Sequence, residues 1–178
     1  ANAWSPRTRA IMPVHQLGFP CAIARIVAFA QEHGLAVVED AACAVGTELA
    51  PGERIGRPHG RFACFSFHPR KVVTTGDGGM ITTDDAALAA RARALRSHGM
   101  SLPPEVRQRD PAARESYGEP GYNLRMTDLA AAIGRPQLAR LDAALAERRR
   151  IAQAFTAALA DHPVLAPPSV PPHVAPNY

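Results

Sequence analysis

The chain has 178 residues, 47% of them hydrophobic, and a formal net charge of +4. That length and apolar fraction suit one ordinary globular domain with a sizeable core, and no run is long and apolar enough to span a membrane. The mild positive charge comes without the interleaved aromatic residues that base stacking on a nucleic acid would need, so the arginines at 91–96 and 148–150 read as solvated helix faces.

In chain order, residues 10–14 predict a short buried strand. Residues 21–33 predict an amphipathic helix with Ile23, Ile26, Val27 and Ala30 on one face and Gly34 as its stop. The continuous apolar run at 35–38 predicts a parallel strand covered on both faces. Residues 49–60 form a polar, Gly/Pro-rich loop, 62–67 a further strand, and 80–83 another that leaves a glycine turn. Asp84 is expected to cap a helix reaching about residue 97, with Leu88, Ala92 and Leu95 at helical spacing. The polar, proline-containing stretch 100–120 is long for a connection and predicts a functional or mobile loop. Thr127 predicts the N-cap of a helix that bends near Gly134 and Pro136 and continues to about residue 160. Six prolines crowd 163–176, a composition expected of a linker. Strands alternating with helices predict an α/β sheet. Cys21, Cys43 and Cys64 show no spacing of metal ligands, and an odd count without a signal segment fits a reducing cytoplasm.

Two strand ends carry chemistry. Val37-Val38-Glu39-Asp40 ends in a carboxylate. Phe65-Ser66-Phe67-His68-Pro69-Arg70-Lys71 places a lysine just before the turn Gly76-Asp77-Gly78-Gly79. A lysine and an aspartate at the ends of neighbouring strands suit a pyridoxal phosphate site. The lysine can form a Schiff base with the cofactor aldehyde, and the aspartate can keep the pyridine nitrogen protonated. The bland alternatives are an exposed lysine after a strand, a helix-capping aspartate and a plain tight turn. No Gly-Lys-Ser/Thr follows the glycines, which argues against a phosphate-binding P-loop.

Four blocks in order resemble the DegT/StrS-type sugar aminotransferases, fold-type I pyridoxal phosphate enzymes. They are Ile11 through Gly18, Val38 through Gly46, Phe65 through Lys71 with Gly76 through Gly79, and Gly121 through Asp128 with Ala130 through Gly134. Gly56-Arg57-Pro58-His59-Gly60 resembles the perosamine-synthase-like members. The resemblance implies the central part of the large domain of the aspartate aminotransferase-like fold, a mostly parallel sheet flanked by helices. It implies 1–126 as part of the cofactor-binding large domain and 127–160 as the long interdomain helix region. Residues 161–178 then lead toward a small C-terminal domain. The family's proteins are roughly twice this long, so the chain is expected to be a middle piece.

The resemblance also implies roles. Lys71 would carry pyridoxal 5'-phosphate and serve as general base, and Asp40 would meet the ring nitrogen. Ser66 would hold the phosphate. Asn123 would reach the phosphate of the other subunit, which makes the working unit a homodimer with composite sites. Cys43 stands where many members carry a glutamine near the phenolic oxygen, and Asp77 replaces a glutamate of the glycine turn. His68, Tyr122 and Arg125 are substrate-facing candidates. The implied reaction moves an amino group, with glutamate as the expected donor, onto a keto sugar carried by a nucleotide diphosphate. A sugar dehydratase of the same family would replace the lysine by histidine, and an inactive remnant or partner-binding piece is the non-enzymatic alternative.

Overall fold

The computed structural model describes residues 3–102, 104–110 and 112–178; the opening two residues of the expected large domain, and positions 103 and 111 of the expected 100–120 loop, lie outside it. A four-stranded sheet positions everything else. Its strands are β1 (Ala10–Ile11), β2 (Ala36–Asp40), β5 (Phe62–Ser66) and β6 (Gly79–Thr82), in that order across the sheet. β1 and β5 both run parallel to β2, while β6 returns antiparallel to β5. The expected polar loop at 49–60 contains a small antiparallel hairpin of β3 (Glu48–Ala50) and β4 (Glu53–Arg54). Its strands are too short, and one too polar, to show as period-two patterns.

Helix α1 (Ile23–Glu32) covers one face of β2, with Ile23, Ala30 and Val37 buried together. It stops as its sequence predicts. Gly34 takes φ +63°, its N–H meets the Gln31 carbonyl, and the Leu35 N–H meets the Ala30 carbonyl, which is a Schellman closure. Further along the same face Ala63 of β5 packs against Ala41, Ala44 and Ile55. Small side chains let the segment after β2 lie close over the sheet.

Helix α2 (Ala86–Leu95) is capped by Asp85 rather than Asp84, because the Asp85 carboxylate accepts from the N–H groups of Ala87 and Leu88. The stretch expected as a loop also holds a short helix, α3 (Pro104–Arg109), and a bridge between Met100 and Tyr117. Thr127 caps α4 (Asp128–Ala139) through a bond from the Ala130 N–H. α4 continues unbroken through Gly134 and Pro136, and the interruption falls at Arg140, before α5 (Leu141–Ala158). Gly134 serves packing: an added Cβ would lie 2.8 Å from the Thr75 methyl, so α4 could not approach the loop after Lys71 so closely.

The proline-containing tail comes back to the sheet. Ala175 bridges Glu48, and Asn177 is buried with its amide donating to the carbonyls of Cys43 (2.8 Å) and Val45 (2.9 Å). Arg148 and Arg149 of α5 donate to the main-chain carbonyls of Asn177 and Pro176. These two arginines therefore hold the tail, which corrects their reading as a solvated face. Arg150 keeps that reading, paired with Glu147 on the surface.

Candidate active site

The parallel register pairs Asp40 with Cys64. Because side chains alternate along a strand, Asp40, Cys64 and Ser66 share one face, while Glu39, Ala63 and Phe65 share the other. Asp40 is half-buried at the carboxyl end of β2, and its Oδ1 accepts the Ala42 N–H at 3.0 Å. This Asx turn swings the chain toward Cys43 and leaves the other carboxylate oxygen for an outside donor.

Behind Asp40 stands a buried polar post. Glu39 and His15 have no exposed surface, and His15 Nε2 lies 3.1 Å from Glu39 Oε2. The Cys21 N–H donates to His15 Nδ1 at 3.3 Å, so the Nε2 nitrogen carries the proton and donates to the carboxylate. The other Glu39 oxygen accepts the N–H groups of His59 (2.6 Å) and Gly60 (3.0 Å). Burial alone would raise the Glu39 carboxyl. The His15 bond and then the two amide bonds outweigh it and hold the carboxyl below its ordinary value. Main-chain bonds from His15 to the Asp40 carbonyl and from Asp40 to the Pro13 carbonyl, both 2.9 Å, tie this post to the strand end.

Beyond β5 the chain makes a tight turn. Ser66 Oγ accepts the His68 N–H at 3.3 Å, so its hydroxyl proton remains for an acceptor. His68 is exposed, its Nδ1 accepts the Arg70 N–H, and its carbonyl accepts the Lys71 N–H. Lys71 then reaches back across the strand ends, its Nζ donating to Cys43 Sγ at 3.0 Å. The loop behind it is held firmly. Val73 is buried with Val45 and Phe67, and Thr74 Oγ1 donates to the Phe67 carbonyl. Gln137 of α4 accepts the Thr74 N–H at 3.1 Å and donates to the Thr74 carbonyl at 2.7 Å. Gly76 (φ +83°) and Gly78 (φ +152°) supply the positive dihedrals that close the turn into β6. Replacing Gln137 by Leu would leave both Thr74 backbone groups without that partner. A loss of about 1–3 kcal/mol in unfolding free energy is expected from chemical denaturation, with faster amide exchange in 71–76.

The sheet thus brings Asp40, Cys43, Ser66 and Lys71 to one edge. Tyr122, Asn123 and Arg125 are exposed on the strand-like segment that bridges Ser97, with Arg125 donating to Asn123 Oδ1 at 3.3 Å, and the next residue, Met126, packs against Val45, Phe67 and Val73. Among the described residues no hydrogen bond joins them to Lys71 or Asp40.

Sequence reasoning passed over His15, Glu39 and Gln137. A glutamate at an inward position of an apolar strand was the available signal for the first pair; nothing local marks Gln137. It also passed over a count: Lys71 is the only lysine in the chain, against nineteen arginines. Arginine fills every other strongly basic position of this sequence, and a lysine amine, unlike a guanidinium, is able to lose its proton.

A mostly parallel sheet presenting a lysine, an aspartate and a serine at its carboxyl edge, followed by a glycine turn and a capped helix, has the fold of the central part of the large domain of pyridoxal phosphate-dependent, fold-type I transferases. The DegT/DnrJ/EryC1/StrS aminotransferase family model matches residues 1–177, and the chain belongs to that family. It is 47% identical over 147 residues to a GDP-perosamine synthase of Caulobacter vibrioides, covering 83% of this chain and 37% of that protein. The aminotransferase TlmJ from Streptoalloteichus hindustanus superposes with a TM-score of 0.87 at 33% identity, over 99% of this chain and 46% of its own. DesI, solved in the presence of its TDP-sugar product, gives 0.82 at 34% identity, over 99% of this chain and 42% of its own. The chain therefore spans less than half the length of these relatives.

Proposed function

We propose that the protein is a pyridoxal 5'-phosphate-dependent aminotransferase acting on a keto sugar carried by a nucleotide diphosphate, with an amino acid, glutamate foremost, as donor. The observation that carries this reading is the sole lysine of the chain, half-buried at the carboxyl edge of the sheet beside the segment that follows Asp40. The sugar-nucleotide chemistry named for the perosamine synthase and for DesI supports the substrate class.

The residues present fit the cofactor. Bound pyridoxal phosphate supplies an electron sink for bond breaking at an amino-bearing carbon. Lys71 supplies the amine that holds the cofactor and, when released by the donor, carries a proton to and from the reacting carbon. Asp40 keeps an oxygen for the ring nitrogen while Ala42 occupies the other, and the buried post behind it keeps the strand end in place. Ser66 has a hydroxyl proton to give to a phosphate oxygen, and Cys43 lines the cofactor pocket beside Lys71. His68, Tyr122 and Arg125 sit on exposed segments suited to meeting substrate. Asn123 belongs to a site completed across a homodimer. Support for that dimer comes from the apolar surface around it, where Leu124 is 71% and Leu129 80% exposed.

In this reading 1–126 contributes to the cofactor domain, 127–160 is the interdomain helix region, and 161–178 leads toward the small domain. Among the described residues no helix is long and apolar enough to cross a membrane. The three cysteines are free thiols, which supports a reducing compartment such as the cytoplasm.

Pyridoxal phosphate added to the purified protein, fixed with borohydride and mapped by peptide mass, tests the proposal. A label on Lys71 that is lost when the amino donor is added before the borohydride supports it. A protein that takes up no label, or labels only its terminal amine, overturns it.

A further inference from the structure

Cys43 Sγ and Lys71 Nζ are 3.0 Å apart, closer than a non-bonded nitrogen and sulfur would ordinarily sit, although 28 residues separate them in the chain. Both are partly exposed, so a small oxidant can reach them. Both are also held in place from behind. The Cys43 carbonyl accepts from the buried Asn177 amide, and the Lys71 loop is anchored by Val73 and by Gln137 on Thr74.

The geometry points to a redox modification site: we infer that, in the cofactor-free protein, peroxide joins Cys43 to Lys71 in a reversible sulfur–nitrogen bond. Hydrogen peroxide oxidises the Cys43 thiol to a sulfenic acid and is itself reduced, with release of one water. The uncharged Lys71 amine then attacks the sulfur. The S–O bond breaks, the hydroxyl leaves with an amine proton as a second water, and the S–N bond forms. Sulfur loses two electrons and one peroxide accepts them. Two equivalents of a thiol reductant return the free thiol and the free amine, and are themselves joined as a disulfide.

Two further observations single out this pair. Burial, and then the charge of Glu39, pushes the Cys21 thiol up; burial, and then Asp40 and Glu39, does the same for Cys64. Those two sulfurs hold less reactive thiolate than an ordinary cysteine. On the amine side, no other lysine competes. The site would place cofactor loading under redox control. That consequence rests on the proposed function; the bond itself does not.

The test is peroxide treatment of the cofactor-free protein, digestion without reductant, and peptide mass analysis. The expected product joins the Cys43 and Lys71 peptides at a mass two hydrogens below their sum. It disappears on thiol treatment, is absent from Cys43→Ser and from Lys71→Arg, and persists in Cys21→Ser and Cys64→Ser. Borohydride-fixed cofactor on Lys71 falls to the Lys71→Arg background after oxidation and recovers after reduction. Cys43 that stays unmodified, or runs on to sulfinic acid with Lys71 unlinked, overturns the inference. An absent link with full labelling of unoxidised protein removes this inference alone. A formed link with no labelling of unoxidised protein removes the proposed function alone.

Discussion

Replacing Lys71 by arginine is expected to abolish amino transfer and, with it, all borohydride-fixed cofactor at side-chain amines. Arginine keeps the positive charge and most of the length, so the strand-end turn should survive. Its guanidinium does not lose a proton at accessible pH, so it neither forms the bond to the cofactor nor carries a proton to the reacting carbon. Loss of a positioned acid–base group alone costs about 10²–10⁴-fold in rate, and the loss of covalent anchoring comes on top. No other lysine of this sequence can take over the label. Measured turnover within tenfold of the parent, or a label that persists on a side chain, would remove Lys71 from the mechanism.

Removing the Glu39 carboxylate is expected to be the most damaging change to stability. Glu39→Ala strands three donors: His15 Nε2–H and the amides of His59 and Gly60. At about 1 kcal/mol or more for each buried donor left without a partner, the loss is about 3 kcal/mol or more. Glu39→Gln keeps one accepting oxygen and turns an NH2 toward a donor, so it should fall between the two. Denaturation midpoints check both. The same carboxylate gives a pH signature. Folding holds its pKa below that of a free glutamate carboxyl, so the native state prefers the ionised form. Its contribution is complete above that value and is lost as pH falls through the lower, folded one. The parent should lose stability across that acid window, and Glu39→Gln should lose less. Equal acid sensitivity in both proteins would show that the post is not the titrating group.

The two site predictions meet at Asp40. The post on one face of β2 holds the strand end through main-chain bonds, and the Asp40 carboxylate projects from the other face. A residue pair with no bond to the Asp40 carboxylate or to the Lys71 amine can therefore decide whether the edge of the sheet keeps its shape. Gln137 has the same relation to the loop after Lys71, reaching it from a helix 63 residues away in sequence.

Sequence alone carried the α/β character, because apolar runs of strand length alternate with helical periodicity. It carried the stop at Gly34 and the cap at Thr127, since both depend on local backbone chemistry. It also carried Lys71 and Asp40 as candidates, because their position at strand ends is a local pattern. What it did not carry is non-local. One exception is local: Asp85 rather than Asp84 caps α2. Gly134 is explained by the Thr75 methyl across a helix–loop contact, not by its own backbone. The tail from 161 onward has a linker's composition, yet Asn177 is buried because its amide meets two carbonyls more than a hundred residues upstream. The 3.0 Å approach of Lys71 to Cys43 likewise exists only once β2 and β5 lie side by side. Local dihedral preferences and periodicity set which elements form. Which side chains meet is set by register and by packing between segments distant in the chain, and that only the tertiary structure decided.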